Sequence, residues 1–308
     1  MSEKRIWAIG SIGIDMLAFA PQLPKAGETV AGNHFLTAPG GKGLNQAIAC
    51  ARLGAPTSMV GCRGDDTFGQ QVTSYMQDAG VDVSRVRTAA GMHTGTAVIF
   101  VADGGENSIV VVLGANSKVE AAELEALPYG AGDVVIAQFE IPLASTLAAF
   151  KAAHAKKAKT ILNPSPIMEG AEALMALADY VILNEVELTS YSGQKVTVDT
   201  PDAEIISVAR SLIKFTAQTI IVTLGPRGAI AITGREQASV PGHRVLAIDT
   251  VGAGDTFAGG FAVRLLAGDS LFSALDFANK AASLSVQKQG AAPSIPTLAD
   301  IQNSGSAA

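Results

Sequence analysis

Cysteine, aromatic residues and charge are all scarce in this chain of 308 residues. Its two cysteines, Cys50 in a helical pattern and Cys62 in an apolar run, each read most simply as a small buried apolar residue. The 4 histidines are scattered without metal-ligand spacing. Charged residues make up only 16%, with a net charge of -6 and an isoelectric point near 5.3. A nucleic acid or an anionic membrane needs a basic stripe, and none is present, so small solutes are the expected partners. No segment approaches the roughly eighteen uninterrupted apolar residues of a membrane-spanning helix. Met-Ser-Glu-Lys-Arg leads straight into the strand-like Ile6-Trp-Ala-Ile-Gly10 with no apolar signal core, which points to a reducing cytoplasm.

What the chain has is apolar residues, 48% of the total. Such a fraction buries many segments on more than one side, as a covered parallel sheet does. The length suits a large α/β domain with an accessory part, or two ordinary domains. Strand-like and helix-like stretches alternate: Ile6 to Ile12, Thr57 to Cys62, Thr67 to Ala79, Asp133 to Phe139, Leu143 to Ala155, Thr160 to Leu162, Tyr180 to Leu183, Ala203 to Phe215 and Thr219 to Leu224. This alternation implies parallel βαβ units. A different pattern runs from Phe19 to Ala38, broken by Pro21, Pro24 and Gly27, with Thr29 to Thr37 alternating like a strand exposed on one face. Gly95 to Val101 and Asn107 to Leu113 flank the turn residues Ala102-Asp-Gly-Gly-Glu106, a hairpin signal. Together these pieces predict a small sheet outside the main one, a lid. Leu271 to Gln287 reads as a helix, Gln289 to Ser294 as a loop returning to the active edge, and Asn303 to Ala308 as a frayed tail.

The stretch Asp249-Thr-Val-Gly-Ala-Gly-Asp255 carries the chemistry. It enters an apolar, helix-period segment that ends near Ala267. Gly252, Ala253 and Gly254 have side chains small enough for backbone N–H groups to converge on a phosphate, reinforced by the free donors of a helix start. Asp255 would repel that phosphate, which makes sense if it receives a proton from the attacking nucleophile; a plain helix N-cap is the other reading. Gly40-Gly-Lys-Gly-Leu-Asn45 opens another helix without Walker A spacing. Its glycines suit close approach to a polyol, with Asn45 at the helix start as donor and acceptor, or as a cap. Asp15 follows the first strand, as a binding carboxylate or a turn cap. Further polar residues, Glu140, Asn163, Asn184 and Thr223-Leu-Gly-Pro-Arg-Gly228, fall at strand exits, where open α/β sheets bind ligands. Asn184-Glu-Val-Glu187 reads either as a water-mediated Mg²⁺ edge or as an N-cap with first-turn acids. No G-x-G-x-x-G follows the first strand, which disfavours a dinucleotide dehydrogenase.

The two glycine motifs, at this separation, resemble those of the ribokinase-like (PfkB) family of carbohydrate kinases, and the resemblance runs from about Ile6 to Pro296. It implies a three-layer α/β/α domain over 1–308 with a mostly parallel central sheet, and lid strands inserted at about 14–38 and 95–113. It also implies ATP-dependent transfer of a phosphoryl group to a primary sugar hydroxyl, O5 of D-ribose. Asp255 takes the role of base and Gly252, Ala253 and Gly254 that of anion hole. Asp15, Gly41, Lys42, Asn45 and Glu140 match sugar-binding positions. Asn184, Thr223, Leu224, Gly225, Pro226, Arg227, Gly228, Gly254 and Asn279 match the nucleotide side. Asn184 and Glu187 match an N-x-x-E motif linked to Mg²⁺. Asp249, Val251, Ser285, Lys288, Gly290 and Ser294 match a monovalent cation site, K⁺, formed mostly by backbone carbonyls. Bacterial members that use ribose carry Asn where this chain has Gly13, so another pentose, a ketohexose or a nucleoside stays open as acceptor. The exposed face of the lid implies a homodimer, and a sensor that kept the fold without the chemistry is the reading from another class.

Overall fold

The structure is a computed structural model and describes residues 3–304. In chain order its strands are β1 (Ile6–Ile9), β2 (Gly13–Ala20), β3 (His34–Gly40), β4 (Thr57–Gly64), β5 (Asp82–Ala89), β6 (Gly95–Ala102) and β7 (Asn107–Val112). They continue as β8 (Val134–Ala137), β9 (Lys159–Leu162), β10 (Tyr180–Asn184), β11 (Thr219–Thr223), β12 (Ala229–Ile232) and β13 (Gln237–Val240). Nine of them form the main sheet in the order β13-β12-β11-β10-β9-β8-β1-β4-β5. Every pair from β5 to β11 is parallel, and only β12 and β13 add antiparallel edges.

Alternation along each strand explains the layers. Ile6, Ala8, Val134, Ile136, Ile182 and Ile221 enter one core, shared with the helices Lys42–Arg52, Ala253–Ala267 and Leu271–Ser285. Trp7, Ile9, Val135, Ala137, Val181 and Val222 enter the other, shared with Leu143–Ala155 and Asp202–Ser211. With both faces covered, these strands have no polar side to show water. Phe150 and Phe261, one in each core, are fully buried, each contributing about 2–3 kcal/mol of transfer free energy.

The smaller sheet has the order β3-β2-β6-β7, with β2 and β6 parallel and both outer pairs antiparallel. It differs from the predicted lid in its bounds. Thr29 to Asn33 is not strand: Gly27 turns with φ 81°, Asn33 N–H closes onto Phe19 O at 2.9 Å, and β3 starts only at His34. The predicted strand Ile6 to Ile12 also stops early. Gly10 still donates to Val60 O at 3.2 Å, but the backbone of Ile12 is satisfied by a side chain instead of a strand. Its N–H donates to Asn116 Oδ1 at 2.9 Å and its carbonyl accepts from Asn116 Nδ2 at 3.0 Å. That clamp lets the chain leave one sheet and enter the other within three residues.

Two close backbone approaches fix the site. At Gly43 an added Cβ would lie 2.5 Å from Gly10 C and Ser11 N, so the Lys42 helix start rests directly on the exit of β1. At Gly259 it would lie 2.4 Å from Ala49 Cβ, so the Lys42 and Ala253 helices cross with nothing between them. The predicted loop at Gln289 to Ser294 contains a helical turn, Ala291–Ser294, closed by Ser294 Oγ donating to Ala291 O at 2.8 Å. Asn303 ends a further short helix, Leu298–Asn303, rather than fraying; residues 305–308 lie outside those described.

Candidate active site

Between β1 and β8 the strand order reverses, and the crevice at their C-terminal ends is where an open α/β sheet accepts ligands. Ser11 follows β1 and Glu140 follows β8, and the two side chains hydrogen-bond across the crevice. Glu140 Oε2 also accepts from the Lys42 N–H at 3.0 Å, and Ser11 Oγ from the Gly43 N–H at 3.3 Å. The first N–H groups of the Lys42 helix, which lack intrahelical partners, are thus satisfied by side chains from two strands. Gly41 caps that helix with φ 94°, a region that favours glycine.

Asp255 sits in the first turn of the Ala253 helix but does not cap it. The cap is Gly252 in the left-handed region, φ 78°, with no side-chain bond. Asp255 instead turns inward and is 6% exposed. Its Oδ2 accepts from Asn45 Nδ2 at 2.9 Å and its Oδ1 from Gln46 Nε2 at 3.0 Å. Asn45 lies inside its helix rather than at the cap, and its own Oδ1 is buried without a partner. Burial pushes the Asp255 carboxyl above its ordinary range, while Lys42, Asn45 and Gln46 pull it back. Lys42 is itself pulled down by burial, yet Asp255, Glu140, Glu187 and Asp15 together hold it above the usual lysine value.

Two cavities open in this region, and Asp255 lines the first of them. One, of about 200 Å³, is lined by Asp255, Gly252, Gly254, Lys42, Asn184, Glu187 and Thr223, with Asn163 and Ser165 at its floor. A Cβ at Gly254 would enter open space, so the helix start faces the cavity unobstructed. Ala253 spends its N–H on Thr250 O at 3.3 Å, leaving Gly254 the clearer donor of the predicted anion hole. The other cavity, of about 60 Å³, is lined by Asp15, Gly41, Glu140, Gly13, Asn116 and the β6–β7 backbone region. Asp15, on β2, lies against Gly40, where a Cβ would come within 2.3 Å of its Oδ1. Its carboxyl is raised to about 6, first by burial and then by Glu140 and Asp255, against Lys42. At Gly13 an added Cβ would meet Gly95 O at 2.8 Å, so no side chain from that position enters the cavity.

Asn184 and Glu187 form a capping box: Glu187 N–H donates to Asn184 Oδ1 and Asn184 N–H to Glu187 Oε2, both at 2.9 Å. They also line the larger cavity, so the cap and a cavity role coincide. Glu187 is buried, which raises its carboxyl above the usual range. Glu185 is half-buried. Among the described residues no three His, Cys, Asp or Glu side chains cluster to hold a metal. One carboxylate and one amide oxygen suit a hydrated Mg²⁺ that arrives with phosphate oxygens, not an ion held by protein alone.

The remaining predicted nucleotide residues stand back from the cavity wall. Leu224 to Gly228 fold into a closed turn, with Leu224 N–H donating to Gly228 O at 2.8 Å. Gly225 and Pro226 open that turn, and Arg227 is occupied by the carbonyls of Val198 and Thr200 and by Asp202. Asn279 Nδ2 donates to Pro241 O at 2.8 Å. Beside the anion-hole turn, Asp249 accepts from Val251 N–H at 3.0 Å and Gly290 N–H at 2.8 Å, joining 249–251 to 285–294. Both its oxygens are engaged within this loop, where Ser285 O accepts from the Lys288 N–H at 3.1 Å and Ser294 Oγ donates to Ala291 O at 2.8 Å. Sequence reading missed Gln46, Gln138, Ser11 and Asn116 as parts of the site. Polar residues inside the apolar runs around Gln46 and Gln138 were the available signal.

A buried carboxylate beside an open helix start, at the strand ends of a doubly covered parallel sheet, fits phosphoryl transfer, and the relatives make the chain a phosphotransferase acting on a sugar hydroxyl. The chain belongs to the pfkB family of carbohydrate kinases, whose family pattern it matches over residues 3–298. It is 35% identical to the ribokinase of Haemophilus influenzae over 297 residues, 96% of each chain. It is 32% identical to the deoxyribokinase of Salmonella typhimurium over 296 residues, 95% of this chain and 96% of that one. Its backbone superposes on the structure of Arabidopsis thaliana ribokinase complexed with ribose and ATP with a TM-score of 0.87 at 31% identity, covering 98% of both chains.

The raised carboxyl of Asp15 has a consequence for stability. A folded-state value near 6 against 3.8 when unfolded means that its contribution is full below pH 3.8 and is lost as pH rises through 6. Asp15→Asn in the ligand-free protein is therefore expected to raise the melting temperature at pH 7.5, by a stability gain of about 1–3 kcal/mol. The gain is expected to vanish near pH 4; scanning calorimetry at both pH values checks it, and an equal gain at both would count against the assignment.

Proposed function

We propose that this chain is an ATP-dependent kinase of D-ribose that transfers the γ-phosphoryl group to O5. The observation that carries the reading is Asp255: a buried carboxylate held by two amides, in the first turn of a helix whose open end faces the larger cavity. The polyphosphate occupies the cavity of Gly252, Gly254, Asn184 and Thr223, and the sugar the smaller one beside Asp15, Gly41, Asn45 and Glu140. Asp255 accepts the proton of the attacking hydroxyl as the O5–Pγ bond forms and the bond from Pγ to the β,γ-bridging oxygen breaks, that oxygen leaving with ADP, and the helix-start N–H groups receive the charge that develops on the transferring group. Catalysis is then mainly positioning and charge stabilisation. Mg²⁺, when bound with the nucleotide, neutralises phosphate charge, and Asn184 and Glu187 would hold it through water. Lys42 supplies a fixed positive charge between the cavities. K⁺ would sit against the carbonyls of 249–251 and 285–294, where Asp249 keeps the loop in shape.

A second reading has its own observation. Gly13 brings no side chain to the smaller cavity, so a pentose with one hydroxyl fewer loses nothing at that position. The likeness to a deoxyribokinase supports including 2-deoxy-D-ribose beside D-ribose.

The four-stranded sheet is read as the lid. β7 is an edge strand with Ile109, Val110, Val111 and Val112 each more than half exposed, and such an edge invites a second copy. We expect a homodimer through it.

ADP release with ATP, Mg²⁺ and K⁺ is expected on addition of D-ribose, and the absence of release with every sugar and nucleoside tried would sink the reading. Asp255→Asn is expected to lose about 10²- to 10⁴-fold in turnover with nucleotide binding kept by calorimetry; retained turnover removes Asp255 as the base. Replacing K⁺ by Na⁺ at constant ionic strength is expected to slow the reaction, and equal rates exclude an activating site. Light scattering at micromolar concentration is expected to give twice the chain mass, and Val110→Lys to return it to one; a monomer before substitution would refute the dimer.

A further inference from the structure

Gln46 is fully buried in the Lys42 helix, and its side chain hydrogen-bonds to three polar side chains, those of Asp255, Asn163 and Gln138. Its Nε2 donates to Asp255 Oδ1 at 3.0 Å and reaches Asn163 Oδ1 at 3.3 Å. Its Oε1 accepts from Gln138 Nε2 at 2.5 Å. The direction of this relay is dictated by charge. An ionised carboxylate only accepts, so Gln46 must turn its NH₂ toward Asp255 and its carbonyl toward Gln138, which must in turn offer its own NH₂. Gln138, fully buried at the exit of β8, is left with its Oε1 unpartnered. Burying two glutamines and stranding one oxygen is unfavourable for packing alone, since an aliphatic side chain fills such space without that cost.

We propose that Gln46 is a positioning residue for phosphoryl transfer: its amide, oriented by Gln138, fixes the rotation of the Asp255 carboxylate toward the acceptor hydroxyl. The proposal rests on the reading of Asp255 as the base. Asn45 holds one carboxylate oxygen and Gln46 the other, so the group is pinned at two points and its remaining lone pairs point where the hydroxyl arrives. During transfer the hydroxyl O–H bond breaks, its proton passes to Asp255, and both amides stay as donors. Hydrogen bonds to the ionised form favour it, so the Gln46 bond also keeps Asp255 able to accept a proton near neutral pH. The charged groups that face Asp255 are Lys42 at the start of the neighbouring helix, Glu140 beyond β8, Asp15 on β2 and Glu187 after β10. Three of these four are acids that work against ionisation. Lys42 and the two amides oppose them.

The test is the pH profile of kcat and kcat/KM, with D-ribose and ATP, for the unsubstituted enzyme and for Gln46→Leu, Gln138→Leu and Asp255→Asn. Gln46→Leu is expected to move the acid limb upward by about one unit and to lower kcat at pH 7 by about ten- to a hundredfold. The loss should shrink as pH rises, and the affinity for ATP should stay unchanged by calorimetry. Gln138→Leu, which frees Gln46 to rotate, is expected to shift the limb in the same direction by less. A Gln46→Leu profile that superposes on the original overturns the proposal. So does a loss equal at every pH with a lowered Tm, which marks a packing role. If Gln46→Leu does not fold, an unshifted limb in Gln138→Leu overturns it. The Asp255→Asn arm separates the two readings: if that variant keeps turnover, the base assignment itself is wrong, whereas a dead Asp255→Asn with unaffected glutamine variants removes the positioning role alone.

Discussion

Taking a carboxylate out of water costs several kcal/mol unless charge and hydrogen bonds replace the lost hydration, and the architecture around Asp255 answers that demand. Two amides from one helix take its two oxygens, the start of its own helix brings a positive dipole end, and Lys42 brings a full charge. These contributions arrive from separate parts of the sequence. They meet because Gly259 lies against Ala49, which lets the two helices cross with nothing between them. The core beneath, with Phe261 and Ile48 fully buried, holds that crossing in place.

The crevice has two sides, and Asp255 lines the first. On one side are the ends of β10 and β11 and an open helix start, suited to phosphate oxygens. On the other are β2, β6 and the Ser11–Glu140 bridge, suited to hydroxyls. Neither side depends on long loops for its chemistry. Strand ends and helix starts supply the groups, so their spacing follows from the sheet register. The lysine between the cavities is held charged by the acids around it, and it balances a site that carries three acids besides Asp255.

Much of this was legible in the residues. Alternating apolar runs revealed the parallel sheet because burial on both faces leaves strands with no polar side, and two glycine motifs marked the helix starts. The hairpin turn Ala102 to Glu106 was visible for the same reason, as turn residues between β-formers. What was hidden depended on partners far along the chain. Ile12 looks like strand, but Asn116 satisfies its backbone, and no local pattern encodes a side chain that imitates a strand. Asp255 and Asn45 each look like helix caps until the other is in view. Gln46 and Gln138 sit 92 positions apart and look like ordinary polar interruptions in apolar runs. The N-x-x-E motif had two readings, and the structure shows why: a capping box and a cavity wall use the same two residues.

Gly259 against Ala49 also bears on how such a chain can diversify. The Asp255 carboxylate and its donors are set by main-chain packing that tolerates no added methyl group, whereas Gly13 and Asp15 ride on β2 in the other sheet. Inherited changes therefore fall into two kinds. Those at the helix crossing shift Asp255 against its donors, because any added bulk has nowhere to go. Those along β2 and β6 reshape the smaller cavity while leaving the helix crossing untouched, so the contacts of one cavity can change separately from the buried carboxylate.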